Sequence, residues 1–195
     1  PPYIKRPLAD PERYQTIYAR VKGSVAAPTA GLHFTEQLLL KLANKGINFA
    51  MVTLHTGLDP FQPVQEENPT NHQIHKEFAV INNPTVQAII QTRAHGGRII
   101  SVGTTSTRVL ESAAYRNSDK TRSLSAFSGW TELFILPGHK FKVTDGLITN
   151  FHLPRSTLLM LVSAFTGSKL AKDAYTTAIR NDYRFYSFGD AMLIL

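Results

Sequence analysis

Apolar positions recur along this chain in two rhythms. After Asn83-Pro84, residues Val86, Ile89, Ile90 and Ala94 fall three to four apart, and Gly96-Gly97 follows. That spacing predicts an amphipathic helix with one apolar face. Ile47 to His55 and Arg98 to Val102 are instead short and nearly continuously apolar, the pattern of strands covered on both faces. Further helices are predicted over 10–20, 36–45, 105–115 and 170–182, and from a Ser156 cap to Phe165. Asp10-Pro11-Glu12 and Thr35 supply N-terminal caps, and Gly46 a C-terminal stop. Strands are predicted over 76–81, 131–136 and 140–143, with a last apolar segment over 191–195. Residues 56–74 read as irregular, with Pro60, Pro63 and Pro69, and 116–129 as a flexible loop. Strands alternating with helices predict a layered α/β/α domain with a mostly parallel sheet. Ligands of such sheets bind in loops after the strands' carboxyl ends, here the loops after His55, Val102 and Val143.

Of the 195 residues, 43% are hydrophobic and 18% charged. That apolar content can bury a core and excludes a disordered chain. No run reaches the ~18 apolar residues of a membrane span, and no signal pattern opens the chain. It begins Pro1-Pro2-Tyr3, without Met, which reads as a segment of a longer polypeptide. Cysteine is absent, so disulfides, thiolate metal sites and a Cys nucleophile are excluded, and a reducing cytoplasm is the expected location. Lys and Arg outnumber Asp and Glu 21 to 14, a net charge of +7. A basic surplus favours polyanion partners. Spread as it is over Arg6, Arg13, Arg20, Lys22, Arg116, Lys120, Arg122, Lys140 and Lys142, it is equally well explained as solubilising charge.

Three strings carry candidate chemistry. Gly23 to Thr35 is long, small and nearly uncharged; such residues let backbone approach a ligand closely. His33, just before a helix start, is a candidate acid/base. Ser101-Val102-Gly103-Thr104-Thr105-Ser106-Thr107-Arg108 leaves a strand and enters a helix, as an anion-cradling turn does. It matches neither a Walker A loop nor a dinucleotide fingerprint. Asp145 to Ser156 places Asn150 and His152 on one face of an extended chain. Structural readings stand beside each: a packed loop, a hydroxyl-capped helix, a tethered turn. His72 and His75, with Glu77 nearby, invite a metal reading. No third spaced ligand or Cys supports it, so no metal is expected. His55, at a strand end before Gly57, is a stronger pocket candidate.

Taken together these strings resemble the S-adenosylmethionine:tRNA ribosyltransferase-isomerase family of queuosine biosynthesis. The matching residues are Pro1 to Ile4, Arg13 to Thr16, Gly23 to Thr35, His55 to Gly57, His75 to Glu77, Val102 to Glu111, Pro137 to Ser156, and Tyr183 to Phe185 through Ser187 to Met192. The resemblance implies an α/β domain with an inserted β-barrel. It implies transfer and isomerisation of the ribosyl group of S-adenosylmethionine onto 7-aminomethyl-7-deazaguanine at the tRNA wobble position, giving epoxyqueuosine and releasing adenine and methionine. S-adenosylmethionine is then a co-substrate and no cofactor is permanently bound. Family members carry well over a hundred residues before Pro-Pro-Tyr-Ile, so 1–195 is expected to be an incomplete catalytic domain without the barrel, and a monomer. The family's Gly-x-Gly-Thr-Phe stands here as Gly57-Leu58-Asp59-Pro60-Phe61, which exchanges an N–H for a proline and adds a charge.

The catalytic candidates are His33, His55, His152 and Asp145. The substrate-binding candidates are Ser24, Thr29, Gly31, Phe34, Gly57, His75, Glu77, Gly103, Thr104, Thr105, Arg108, Lys140 and Asn150. Arg108 and Lys140 suit a carboxylate or a phosphate. Phe34, Phe61 and Phe151 suit stacking on a splayed anticodon-loop base or facing a sulfonium, or else core packing. Two other functions stay open at this point: a non-catalytic tRNA-binding fragment and an S-adenosylmethionine-dependent RNA methyltransferase.

Overall fold

The computed structural model describes residues 8–57, 64–66, 68–116 and 124–195. Helices start where side chains can accept the first free N–H groups. Thr35 Oγ1 accepts from Leu38 N at 3.2 Å and opens α1 (Glu36–Ala43). Asn82 Oδ1 accepts from Thr85 N at 2.9 Å and opens α2 (Asn83–Ala94). Ser156 Oγ accepts from Leu159 N at 3.1 Å and opens α4 (Thr157–Thr166). Two further helices are α3 (Thr104–Arg116) and α5 (Ser168–Arg180). Asp10 caps as expected, but only a 3-10 turn, Pro11–Tyr14, follows. Gln15 is already extended, so the expected helix over 10–20 ends within one turn.

The sheet departs from expectation. Two three-stranded sheets form, β1 (Thr53–His55), β2 (Glu77–Ile81) and β4 (Phe127–Thr131) in one, and β3 (Ile100–Val102), β5 (Gly146–Asn150) and β6 (Ala191–Ile194) in the other. Among the described residues only β3 and β5 pair in parallel, with Ser101 opposite Leu147; the other three pairings are antiparallel. A parallel pair needs a crossover, and α3 provides one between β3 and β5. Among the described residues the β1–β2 connection contains just the 3-10 turn Pro69–Asn71, so β2 returns antiparallel with Thr53 opposite Val80.

Other boundaries shift for similar reasons. The apolar run at 47–55 becomes strand only at Thr53, and Ile47, Phe49 and Met51 are exposed. Residues 132–143 form no strand; the chain turns at Pro137-Gly138, where His139 N donates to Leu136 O at 3.0 Å. The neighbouring strands β4 and β5 lie in Phe127-Ser-Gly-Trp-Thr and Gly146-Leu-Ile-Thr-Asn, whose glycines and hydroxyls imitate loop. The expected loop at 116–129 therefore overlaps the end of α3 and the start of β4, and its middle, 117–123, lies outside the described residues.

α3 packs against strands of both sheets. Its Val109, Leu110 and Ala113 join Ala79, Ile81, Val86 and Ile89 in the larger apolar cluster, while Ile135, Leu147 and Leu161 form a second. Ile90 on α2 faces out. Glu111, fully buried, accepts from the N–H groups of Lys142, Val143 and Thr144 at 2.8, 3.0 and 3.0 Å. This carboxylate fixes the approach to β5 where no strand ladder does.

Candidate functional site

The carboxyl end of β5 meets the loop 23–35. Asn150, 3% exposed, receives the Thr29 hydroxyl on its Oδ1 at 3.0 Å. Its Nδ2 donates to His33 Nε2 at 3.2 Å, which leaves the His33 ring proton on Nδ1. The loop is tied to the end of β1: Ser24 Oγ accepts from Thr56 N at 3.0 Å, and Val25 N donates to Thr56 O at 3.0 Å. Ser24 therefore serves the backbone, not a ligand. Gly31 packs beneath Tyr18 and Thr16, and Phe34 is buried. Gly23 lies against the ring of His55, where a Cβ would come within 2.8 Å of Nδ1. His55 Nδ1 is buried without a partner among the described residues, and its ring stacks on Phe78 at 6.3 Å.

Opposite this loop stands the N-terminus of α3. Gly103 takes φ +90° and donates to Ile148 O at 2.8 Å, a conformation open to glycine. Thr104 and Thr105 follow in the first turn. Thr107, fully buried, bonds Ser101 Oγ at 2.9 Å and Gly103 O at 3.2 Å, joining β3 to α3. One turn on, Arg108 pairs with Glu77 of β2, and its Nε donates to Leu133 O at 3.2 Å. Both side chains are at least nine-tenths buried. Burial lowers Arg108 to about 10, so it stays protonated at neutral pH. Its Nη2 has no hydrogen-bond partner among the described residues.

Between the two lies a cavity of about 160 Å³. Of the candidates, Thr29, Gly57, His75, Glu77, Gly103, Thr104, Thr105, Arg108, Asn150 and His152 line it. His152 Nε2 shares a 2.7 Å hydrogen bond with Thr149 Oγ1, and its backbone N donates to Tyr175 Oη at 2.9 Å. Burial pulls His152 down to about 4 and pushes Tyr175 up to about 12. The imidazole is therefore neutral at pH 7.

Other candidates lie elsewhere. His33 reaches the cavity only through Asn150, and His55 stands behind Gly23. Asp145 sits at the opposite end of β5, bound to Ile99 N at 2.8 Å and Arg93 at 3.4 Å. The expected strand end at Val143 put it at the mouth; the strand starts at Gly146 and carries Asn150 there instead. Lys140 is exposed and offers its carbonyl to Tyr115. Phe151 is 5% exposed and packs against Tyr175, Tyr183 and Phe185, so its place is in an aromatic cluster. Phe61 and the Asp59-Pro60 departure lie outside the described residues. Sequence reasoning missed His72 as a cavity residue, along with Phe134, Tyr186 and Ser187. The first was read only as half of a metal pair, and Ser187 was marked only by its string. Among the described residues no cluster of three His, Asp or Glu is arranged to hold a metal, and no helix is long and apolar enough to cross a membrane.

Residues 1–194 match the family model described as queuosine biosynthesis protein. The chain belongs to that family. Its curated relatives include the S-adenosylmethionine:tRNA ribosyltransferase-isomerases of Halothermothrix orenii and Caldanaerobacter subterraneus subsp. tengcongensis, 57% and 56% identical. The enzyme of that name from Staphylococcus aureus is 55% identical. Each alignment covers all of this chain and 56% of the Halothermothrix and Caldanaerobacter proteins; the chain thus spans little more than half the length of these family members. A solved S-adenosylmethionine tRNA ribosyltransferase from Thermotoga maritima superposes with a TM-score of 0.70 at 46% identity, over 86% of this chain and 51% of that one. The strings at 23–35, 55–57, 75–77, 102–111, 137–156 and 187–192 that carry the resemblance all contribute residues to the cavity.

Proposed function

We propose that this chain supplies the reaction cavity of an S-adenosylmethionine:tRNA ribosyltransferase-isomerase. It is the α/β catalytic part of a longer enzyme whose inserted β-barrel lies outside this sequence. The observation that carries the reading is the meeting of three separated family strings around one buried cation, Arg108, that keeps an unused donor. The methionine carboxylate suits Arg108 Nη2 and the free N–H groups of α3's first turn. Thr29 and Asn150 suit ribose hydroxyls, and the small wall at Gly57 suits close approach of a flat ring. A wobble base is unpaired and can be turned out of its loop into such a cavity. The basic surplus suits the phosphates around it. His72, His75 and His152 line the cavity and stand where the transferred group would lie. The enzyme works in the cytoplasm as a monomer, with S-adenosylmethionine consumed as co-substrate.

The test supplies S-adenosylmethionine and a tRNA bearing 7-aminomethyl-7-deazaguanine. Release of adenine and methionine in step with loss of that base is expected. S-adenosylhomocysteine as product would make the chain a methyltransferase, and tRNA binding without product would make it a binding module. Affinity for tRNA should also fall steeply as salt rises, because each neutralised phosphate releases counterions. A flat salt response would overturn phosphate-led recognition.

A further inference from the structure

We infer that His72 is the proton acceptor of this cavity and that Glu66 is its positioning residue; the inference rests on the reaction proposed above. His72 lines the cavity beside His75 and Phe134. Its Nδ1 lies 2.9 Å from Glu66 Oε2, with the two side chains 20% and 38% exposed. Backbone N–H groups at Gln65 and Glu66 and the His72 ring hold the Glu66 carboxyl below its usual range. An ionised carboxylate has no proton to give, so the shared proton sits on Nδ1 and the lone pair on Nε2. Three things fix the ring. The turn Pro69–Asn71 is capped by Asn68 and receives His72 N on Pro69 O at 3.1 Å. The carboxylate holds Nδ1. The Phe134 ring packs edge-on at 5.9 Å.

Five of the other six histidines lack this combination. His33 uses Nε2 on Asn150, and His152 uses Nε2 on Thr149. His55 is shut behind Gly23, and His95 and His139 lie off the cavity. Besides Glu66, which bonds its ring, the charged and titratable groups lining the cavity with His72 are His75, the Glu77–Arg108 pair, His152 and Tyr186.

The step is a proton transfer. A primary amine arrives at neutral pH as an ammonium, since such groups titrate near ~10. The Nε2 lone pair takes one N–H proton, and the electrons of that bond return to nitrogen as the pair that attacks the ribosyl carbon; the bond from that carbon to adenine breaks, and adenine leaves with its electron pair and takes up a proton from solvent. The imidazolium so formed faces the Glu66 carboxylate and later loses its proton to solvent. This is general-base catalysis oriented by a third group.

The experiment follows adenine release against pH in the wild type, His72→Ala and Glu66→Gln. His72→Ala should lower kcat by roughly 10²- to 10⁴-fold, the usual worth of a positioned base, with KM for S-adenosylmethionine little changed and rate partly restored by added imidazole. Glu66→Gln should lower kcat less and move the acid limb of the profile to lower pH, because the charge supporting the imidazolium is gone. A normal rate per folded His72→Ala molecule, or a loss that imidazole leaves unmoved, would overturn the inference. A second readout does not need turnover: nitrogen NMR of labelled histidines should find His72 protonated on Nδ1, with its Nε2 signal moving when S-adenosylmethionine is added. An Nε2-protonated ring, or a signal indifferent to that ligand, overturns the assignment. A wild type that releases no adenine fails the proposed reaction itself, and the NMR result then still decides for or against the Glu66–His72 arrangement.

Discussion

The two walls of the cavity differ in how their polar atoms are used. The wall from loop 23–35 and the end of β5 is closed upon itself: Thr29, Asn150 and His33 form a chain of hydrogen bonds, and Ser24 ties the loop to Thr56. The wall from α3, β2, Glu66 and residues 68–76 keeps unused capacity, with Arg108 Nη2 unbonded among the described residues and His72 holding Glu66 through one nitrogen. A satisfied network gives shape; an unsatisfied buried donor is costly and persists where a ligand completes it. The most conspicuous string in the sequence thus builds mainly the frame, offering a ligand the Thr29–Asn150 pair, while the groups with unused capacity stand opposite.

The sharpest way to break this contrast is at the Glu77–Arg108 pair. Arg108→Ala leaves Glu77 buried without a counter-charge, and stability should fall by about 3–5 kcal/mol, read by denaturant unfolding. An Arg108→Met, Glu77→Leu double variant should recover most of that loss while failing to bind S-adenosylmethionine. A single variant that unfolds like the wild type would show that the pair does not hold this wall.

A smaller effect separates the walls by pH. His152 titrates near 6.5 when unfolded and is pulled to about 4 in the fold. The unfolded chain therefore binds more protons between those values. The stability due to neutral His152 is whole above pH 6.5 and is lost as pH falls towards 4. It should amount to no more than roughly 3 kcal/mol, and His152→Gln should flatten the stability curve in that window. An unchanged curve would mean that His152 is hydrated in the fold.

How far the sequence revealed this site follows from where each signal is local. Thr35 and Ser156 act within three residues of themselves, and the helix starts they predict are the ones found; the helix predicted after Asn83-Pro84 is found too, with Asn82 as its cap. The turn at Gly103 was legible for the same reason. Sheet pairing is not local. Nothing in Phe127 to Thr131 announces that it lies beside β2, and the reading slipped onto 131–136. His72 was missed because its partner is a glutamate six residues back across a turn, a relation with no periodicity to reveal it. Phe151 stayed undecided because an aromatic at a loop start looks the same whether it meets a ligand or three other rings.

The finest test is at Asp145, which the strand slip had moved to the cavity mouth. Its Oδ2 accepts from Ile99 N at 2.8 Å and its Oδ1 lies 3.4 Å from Arg93, which also donates to the carbonyls of Lys142 and Val143 at 2.7 and 2.8 Å. Asp145 thus aligns the start of β3 with the start of β5. From there to Asn150 is the whole of β5, about 13–16 Å of extended chain. Asp145→Ala removes one backbone acceptor and a half-exposed ion pair. The first is worth about 1 kcal/mol and the second less, since water screens it. The melting temperature should therefore drop by a few degrees while adenine release per folded molecule stays within about twofold. Asp145→Asn, which keeps an acceptor for Ile99 N, should recover most of the melt. A hundredfold loss of rate with an unchanged melt would return Asp145 to the chemistry, and free polar groups would then stand at both ends of β5.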